Sequence, residues 1–208
     1  MDMQGSRQLA ITQQQAWDAL NNPEVLKACI TGCDKVEPTG ENQYAIGMSV
    51  KIGPVAAKFA GKILLADIVA PESYSINFEG QGGAAGFGKG NSAVKLVPNG
   101  AGCELQYTVH ASVGGKIAQL GQRLIDGVAK SMAEDFFKRF DEAMQAAHPG
   151  AYAAAQAAQD ATNSGAVGAV SAGTRGQNGE QNSTQKTVIA WAVAVGILVA
   201  AIWLVRSL

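Results

Sequence analysis

Apolar and polar positions alternate with period two through much of residues 43–110, then recur every three to four residues beyond Gly114. In QYAIGMSVKI (43–52), Tyr44, Ile46, Met48, Val50 and Ile52 fall on one side, against Gln43, Ser49 and Lys51. VAAKFAGKILLADI (55–68) sets Phe59, Ile63 and Leu65 against Lys58 and Lys62. YSINF (74–78) alternates Tyr74, Ile76 and Phe78, and CELQYTVHA (103–111) sets Leu105, Tyr107 and Val109 against Glu104, Gln106 and Thr108. Gly53-Pro54 and Pro98-Asn-Gly100 supply turns between such runs. Strands of this kind, joined by short turns, predict an antiparallel sheet with one covered face.

Helical signals flank the sheet. After a strand over Met3–Ile11, Thr12 and Gln15 form a capping-box pattern that opens a short helix carrying Trp17 and Leu20. Asn22-Pro23-Glu24 starts a second, with a cap, a proline in the first turn and an acid near the positive end, and it stops around Ile30–Gly32. Beyond Gly114-Gly115, the residues Ile117, Leu120, Leu124, Val128, Met132, Phe136 and Phe140 predict one long amphipathic helix. The order β-αα-β5–6-α is an α+β architecture in which a curved sheet closes on a long C-terminal helix. Such curvature leaves an apolar space between the layers.

The last quarter of the chain changes character. Residues 148–186 are rich in Ala, Gln, Gly, Asn and Ser and read as a flexible linker, with a short alanine-favoured helix over 152–161. Residues 187–205, TVIAWAVAVGILVAAIWLV, are an uncharged apolar run of 19 residues that would extend roughly 28 Å as a helix, close to the hydrocarbon thickness of a bilayer. Trp191 and Trp203 stand near its ends, where indoles favour the interface. The expectation is a domain over 1–147, a linker, a transmembrane anchor over 187–205 and a tail over 206–208. MDMQGSRQLAITQ at the N-terminus has no apolar run that would direct export, so the domain is expected on the cytoplasmic side of the cytoplasmic membrane.

Charge and candidate chemistry exclude several classes. With 16 basic and 17 acidic residues, the chain has no electrostatic footprint for nucleic acid. Glycine at 80, 82, 83, 86, 88 and 90 brings GQGGAA into line with the dinucleotide fingerprint G-x-G-x-x-G/A. That fingerprint must open a helix onto a pyrophosphate, whereas here another strand pattern follows. A wide hairpin or bulged strand pair is the better reading, with the glycines leaving room beneath the sheet and Phe87 at the mouth of that room. Cys29, Cys33 and Cys103 lack the paired spacing and fourth ligand of a zinc site, so no metal is expected. His110 is expected to face solvent, and His148 to end the long helix. Asp67 shares the inward phase of Phe59, Ile63 and Leu65, so it is either a polar group at a cavity rim or, if the strand has ended, a group in water. No nucleophile or acid–base constellation emerges, and the chain is not expected to be an enzyme.

Four stretches together resemble the G-subunit family of carbon monoxide dehydrogenase, within the START/Bet v1-like superfamily. They are AWDALNNPEVLKACITGCDKVE (16–37), VKIGPVAAKFAGKI (50–63), GFGKGNSAVKL (86–96) and GGKIAQLGQRLIDGVAKSMAEDFFKRF (114–140). The chain departs from the family at Thr31, where proline is usual. The resemblance implies a helix-grip fold, hydrophobic ligand binding and association with a molybdenum hydroxylase of the aerobic carbon monoxide dehydrogenase type. Periodicity does not separate a packed core from a cavity, but the resemblance favours a cavity. Its expected lining is Met48, Phe59, Ile63, Phe78, Phe87 and Tyr107, with Leu120 and Leu124 from the helix. The expected ligand is a quinone or other lipid, with no covalent cofactor, linking the hydroxylase to membrane electron transport. A pure recruitment adaptor without a ligand and, behind it, a cyclase-type enzyme are the alternatives.

Overall fold

The computed structural model describes residues 1–166. An N-terminal strand β1 (Asp2–Leu9) leads into helices α1 (Gln13–Leu20) and α2 (Pro23–Cys29). Strands β2 (Cys33–Gly40), β3 (Gln43–Ile52), β4 (Val55–Val69), β5 (Ser73–Gln81), β6 (Phe87–Asn99) and β7 (Gly102–Gly114) follow, then helices α3 (Gln122–Ala147) and α4 (Pro149–Ala166). All seven strands form one antiparallel sheet in the order β1-β7-β6-β5-β4-β3-β2, so β1 returns to pair with the last strand.

The local signals act as physical chemistry dictates. Thr12 accepts from the Gln15 backbone while the Gln15 side chain returns to the Thr12 backbone. Asn22 caps α2 by accepting from the Glu24 and Val25 backbones. Gly53 begins the two-residue β3–β4 turn with φ +57°, as a primed hairpin turn requires. The glycine-rich stretch makes the β5–β6 hairpin, with a single 3-10 turn at Gly83–Ala85.

The core lies between the inner sheet face and the helices. Leu105, Tyr107, Val109, Met48 and Phe59 from the strands meet Phe136, Phe137 and Phe140 of α3. The Arg7 guanidinium bonds Asp141 at 2.6 Å and lies 5.9 Å from the Phe137 ring centre, fastening α3 to the edge strand β1.

Three features differ from expectation. The long helix begins at Gln122 rather than Gly114, because β7 continues to Gly114 and Ala118–Leu120 form a 3-10 turn. Its buried stripe is rotated by one residue in the first half. Ile125, Ala129 and Ala133 are buried, Val128 and Met132 only partly so, and Leu124 is exposed. Ala129 and Ala133 take the buried positions on this face, and their larger neighbours Val128 and Met132 are only partly covered. Residues 149–166, assigned largely to the linker, are helical, and Tyr152 of α4 reaches Asp141 of α3. The expected span over 187–205, with Trp191 and Trp203, lies outside the described residues. Among the described residues, no helix is long and apolar enough to cross a membrane.

Candidate ligand-binding site

A partly enclosed apolar hollow of about 40 Å³ lies between the two short helices and one half of the sheet. Leu20 and Asn21 at the end of α1, with Leu26 and Ile30 at α2, roof it; Val36, Ile46, Ile63, Leu65 and Ile76 line its floor. Two phenol side chains complete the lining, Tyr44 on β3 and Tyr74 on β5. Period-two alternation aims both inward, and the edge of the Trp17 ring packs against Tyr74 at a centroid distance of 5.3 Å. Burial, and secondarily the neighbouring Tyr44, pushes the Tyr74 hydroxyl well above its ordinary range, so it stays a neutral donor. Neither hydroxyl makes a hydrogen bond within the described residues. The lining is almost wholly apolar and suits an apolar group.

The residues expected to line a cavity are not brought together there. Only Ile63 borders the hollow. Met48, Phe59, Phe78 and Tyr107 are buried, but in packed core, and Tyr107 stacks on Phe137 at 6.1 Å. Leu120 is partly buried in the turn ahead of α3. Phe87 pairs with Gly114 on the side of the sheet that carries Lys89 and Asn91, so it is exposed and does not guard the interior. Leu124 lies against Gly53 at the end of the β3–β4 hairpin.

The glycines do make room, yet the chain's own rings take it. Phe78 stands across from Gly90, Tyr107 from Gly5 and Phe87 from Gly114. Phe59 stands over Gly82, two residues beyond the Gly61–Gly80 pair. A β-carbon at any of these four glycines would collide with the facing ring. Tyr44, Tyr74 and the α1–α2 roof were the part that sequence reasoning missed. The signal was the pair of short capped helices, since a roof that small covers only part of a seven-stranded sheet.

Other chemistry is sparse. Two depressions of about 720 and 740 Å³ lie on the outer sheet face, open to solvent and lined mainly by exposed polar side chains such as Asn77, Asn91 and Gln106. His110 is exposed and bonds Asp2, which holds the Asp2 carboxyl below its usual range. Nδ1 of His148 lies 3.2 Å from the Gln15 amide. Asp67 is exposed at an irregularity inside β4, with φ +50°, and so turns to water before the strand has ended. Burial raises the Cys29 and Cys103 thiols to about 11. Among the described residues no cluster of His, Cys, Asp and Glu would hold a metal ion.

A model of the family described as the carbon monoxide dehydrogenase G subunit (CoxG) matches residues 5–145. A conserved protein of Geobacillus kaustophilus is 36% identical with a TM-score of 0.66, over 69% of this chain and 95% of that one. Protein TTHA0849 of Thermus thermophilus has a TM-score of 0.55 at 13% identity, over 71% of this chain and 99% of that one. A START superfamily protein of Mycobacterium smegmatis has 0.56 at 10% identity, over 69% and 97%. At such identities these last two share the fold. No curated protein matches the chain.

Proposed function

This chain belongs to the CoxG family, the G subunits of carbon monoxide dehydrogenase, and from that membership we propose an accessory protein that takes a hydrophobic ligand beneath α1 and α2. The observation that carries the reading is the apolar hollow beneath α1 and α2, bordered by Tyr44 and Tyr74, whose hydroxyls have no hydrogen-bond partner among the described residues. The ligand we propose is a quinone. Its ring oxygens accept from Tyr44 and Tyr74, and its apolar part gains about 0.8 kcal/mol for each methylene withdrawn from water. The partner is a molybdenum hydroxylase of the carbon monoxide dehydrogenase type. Such an enzyme must pass electrons to lipid-dissolved carriers, and this chain, tethered to the cytoplasmic membrane through residues 187–205 with its domain on the cytoplasmic side, brings the carrier to it. Its part in the chemistry is delivery rather than catalysis.

Loading requires the roof to lift, because about 40 Å³ is close to one water's share of liquid volume and well below the roughly 150 Å³ of a cavity that holds benzene. The α2 helix is only seven residues long, so its displacement is the economical way to enlarge the space. The test is solvent extraction and mass spectrometry of full-length protein purified from quinone-producing cells, followed by quinone titration of the detergent-solubilised protein. We expect a bound quinone, and a loss of affinity of about threefold to tenfold in Tyr74→Phe. Protein that is empty as isolated and does not bind added quinone overturns the reading.

The small volume itself favours a second reading, a recruitment adaptor whose interior is simply core. Leu26→Trp separates the two. Under carriage it blocks electron delivery while the hydroxylase is still recruited to membranes; under adaptation both persist wherever the variant folds.

A further inference from the structure

Charge is distributed along the strands rather than across the sheet. The β3–β4 turn, the β5–β6 turn and the exit of β7 lie at one end of the sheet, which follows from its antiparallel order. Within residues 49–58, 82–88 and 113–125 the charged residues are Lys51, Lys58, Lys116 and Arg123, with no acid among them. All four are exposed and none enters an ion pair among the described residues. Glu79 and Asp126 are the nearest acids along the chain, and Asp126 accepts from Gln122. At the opposite end the β2–β3 and β4–β5 connections carry Glu41 and Glu72, with Asp67 close by inside β4 and Lys95 paired with Ser73 beside Glu72.

The same basic end holds two exposed large apolar side chains, Phe87 at 44% and Leu124 at 40% exposure. They flank the tip from opposite sides of the sheet. Phe87 lies over Gly114 on the outer face, and Leu124 touches Gly53 on the helix side. Between them run Gly82–Gly86, with few side chains to hold the backbone away from a flat surface. Gly86 packs on the backbone of Gly114 and Gly115, and the Ile117 amide donates to the Ala85 carbonyl at 2.9 Å, so the tip is braced.

We propose that this tip docks on a bilayer surface bearing anionic headgroups. Phe87 and Leu124 enter the interface, and Lys51, Lys58, Lys116 and Arg123 meet the lipid phosphates. The proposal rests on the membrane reading above and adds the face that meets the lipid. Charge complementarity argues for it, and so does the length of chain between α4 and the proposed anchor, residues 167–186, which gives the domain reach to turn the tip toward the surface. The acidic end, with the hollow bordered by Tyr44 and Tyr74, then faces away from the membrane and toward the partner, so loading from lipid needs the domain to turn on its tether.

The experiment uses residues 1–166, which exclude the expected anchor. A domain of this kind folds by itself, since the Geobacillus relative is 95% covered by 69% of this chain. Sedimentation is measured with vesicles of phosphatidylcholine alone and of phosphatidylcholine with phosphatidylglycerol in equal amounts, and full-length protein is fractionated in parallel. We expect binding to the anionic vesicles only. Lys116→Glu and Arg123→Glu should each weaken it about fivefold or more, Phe87→Ser about tenfold, and Lys138→Glu on the far half of α3 far less. Circular dichroism checks that these exposed substitutions leave the fold intact.

Equal binding to both vesicle types, or binding unmoved by the tip variants, overturns the proposal. So does a dimer that Phe87→Ser dissolves, or hydroxylase binding lost with Lys116→Glu while vesicle binding persists. Full-length protein found outside the membrane fraction would instead count against the tether.

Discussion

Phe78 and Gly90 face each other across the β5–β6 pair, and the ring carbon Cζ lies 2.8 Å from where a β-carbon on residue 90 would stand. The same added atom would meet the His110 carbonyl oxygen and the Ala111 α-carbon, neither of which belongs to a movable side chain. Gly90→Ala therefore overpacks the contact with the buried Phe78 ring and should destabilise the domain by about 1–3 kcal/mol. Urea unfolding of residues 1–166 measures it; an unchanged midpoint would mean that the β6–β7 backbone gives way at this pair and the interior is softer than described.

Ser92 makes the opposite prediction. It points inward from β6 between Ile76 and Val109, is 3% exposed, and its hydroxyl has no partner. A buried hydroxyl without a hydrogen bond costs about 1–3 kcal/mol of desolvation. Ser92→Ala should raise the stability of the ligand-free domain by about 1 kcal/mol, read as an upward shift of the thermal midpoint by a few degrees. A fall would show that the hydroxyl is satisfied in solution.

These two positions show what was readable in the sequence. Strand alternation placed Phe78, Tyr74 and Ile76 on the covered face, because a half-buried sheet writes its burial into every second residue. The glycine stretch was readable as a source of space, but its occupants were not. Which ring stands opposite which glycine depends on register, and register is fixed by turns and pairing along the whole sheet. The stripe of α3 was blurred for a related reason. Ala129 and Ala133 carry little hydrophobic signal, yet they are the buried positions, so weight fell on Leu124, Val128 and Met132. The hollow was misplaced because its roof is two helices too short to announce a cavity.

The thiols offer a test of burial. Cys29 and Cys103 are buried and their thiols are raised from 9.0 to about 11, whereas Cys33 is half-buried and raised less, burial again being the main cause. Native protein near pH 8 should therefore react with a thiol reagent first at Cys33, and all three should react in denaturant. Because the folded values lie above the unfolded one, the native state holds these protons longer. Their contribution to stability is full below about 9 and is lost as pH rises toward about 11. Cys103→Ala should flatten that alkaline decline; a slope identical to wild type would mean that the thiol ionises freely in the folded protein.

The expected anchor yields to deletion. The family match ends at residue 145 and the described packing between sheet and α3 lies within residues 1–166, so removing 187–208 is expected to leave that packing in place. The truncated protein should unfold at the same urea concentration as the parent domain and leave the membrane fraction. One complication has a physical remedy. If the basic tip binds anionic lipid, some truncated protein will stay with membranes at low salt, held by exposed charges that salt screens within about 3 Å at 1 M. A high-salt wash should then release the truncated protein while full-length protein stays bound, since an apolar span is insensitive to screening. Release of both would remove the anchor from the account, and retention of both would place a second, apolar attachment within residues 1–186.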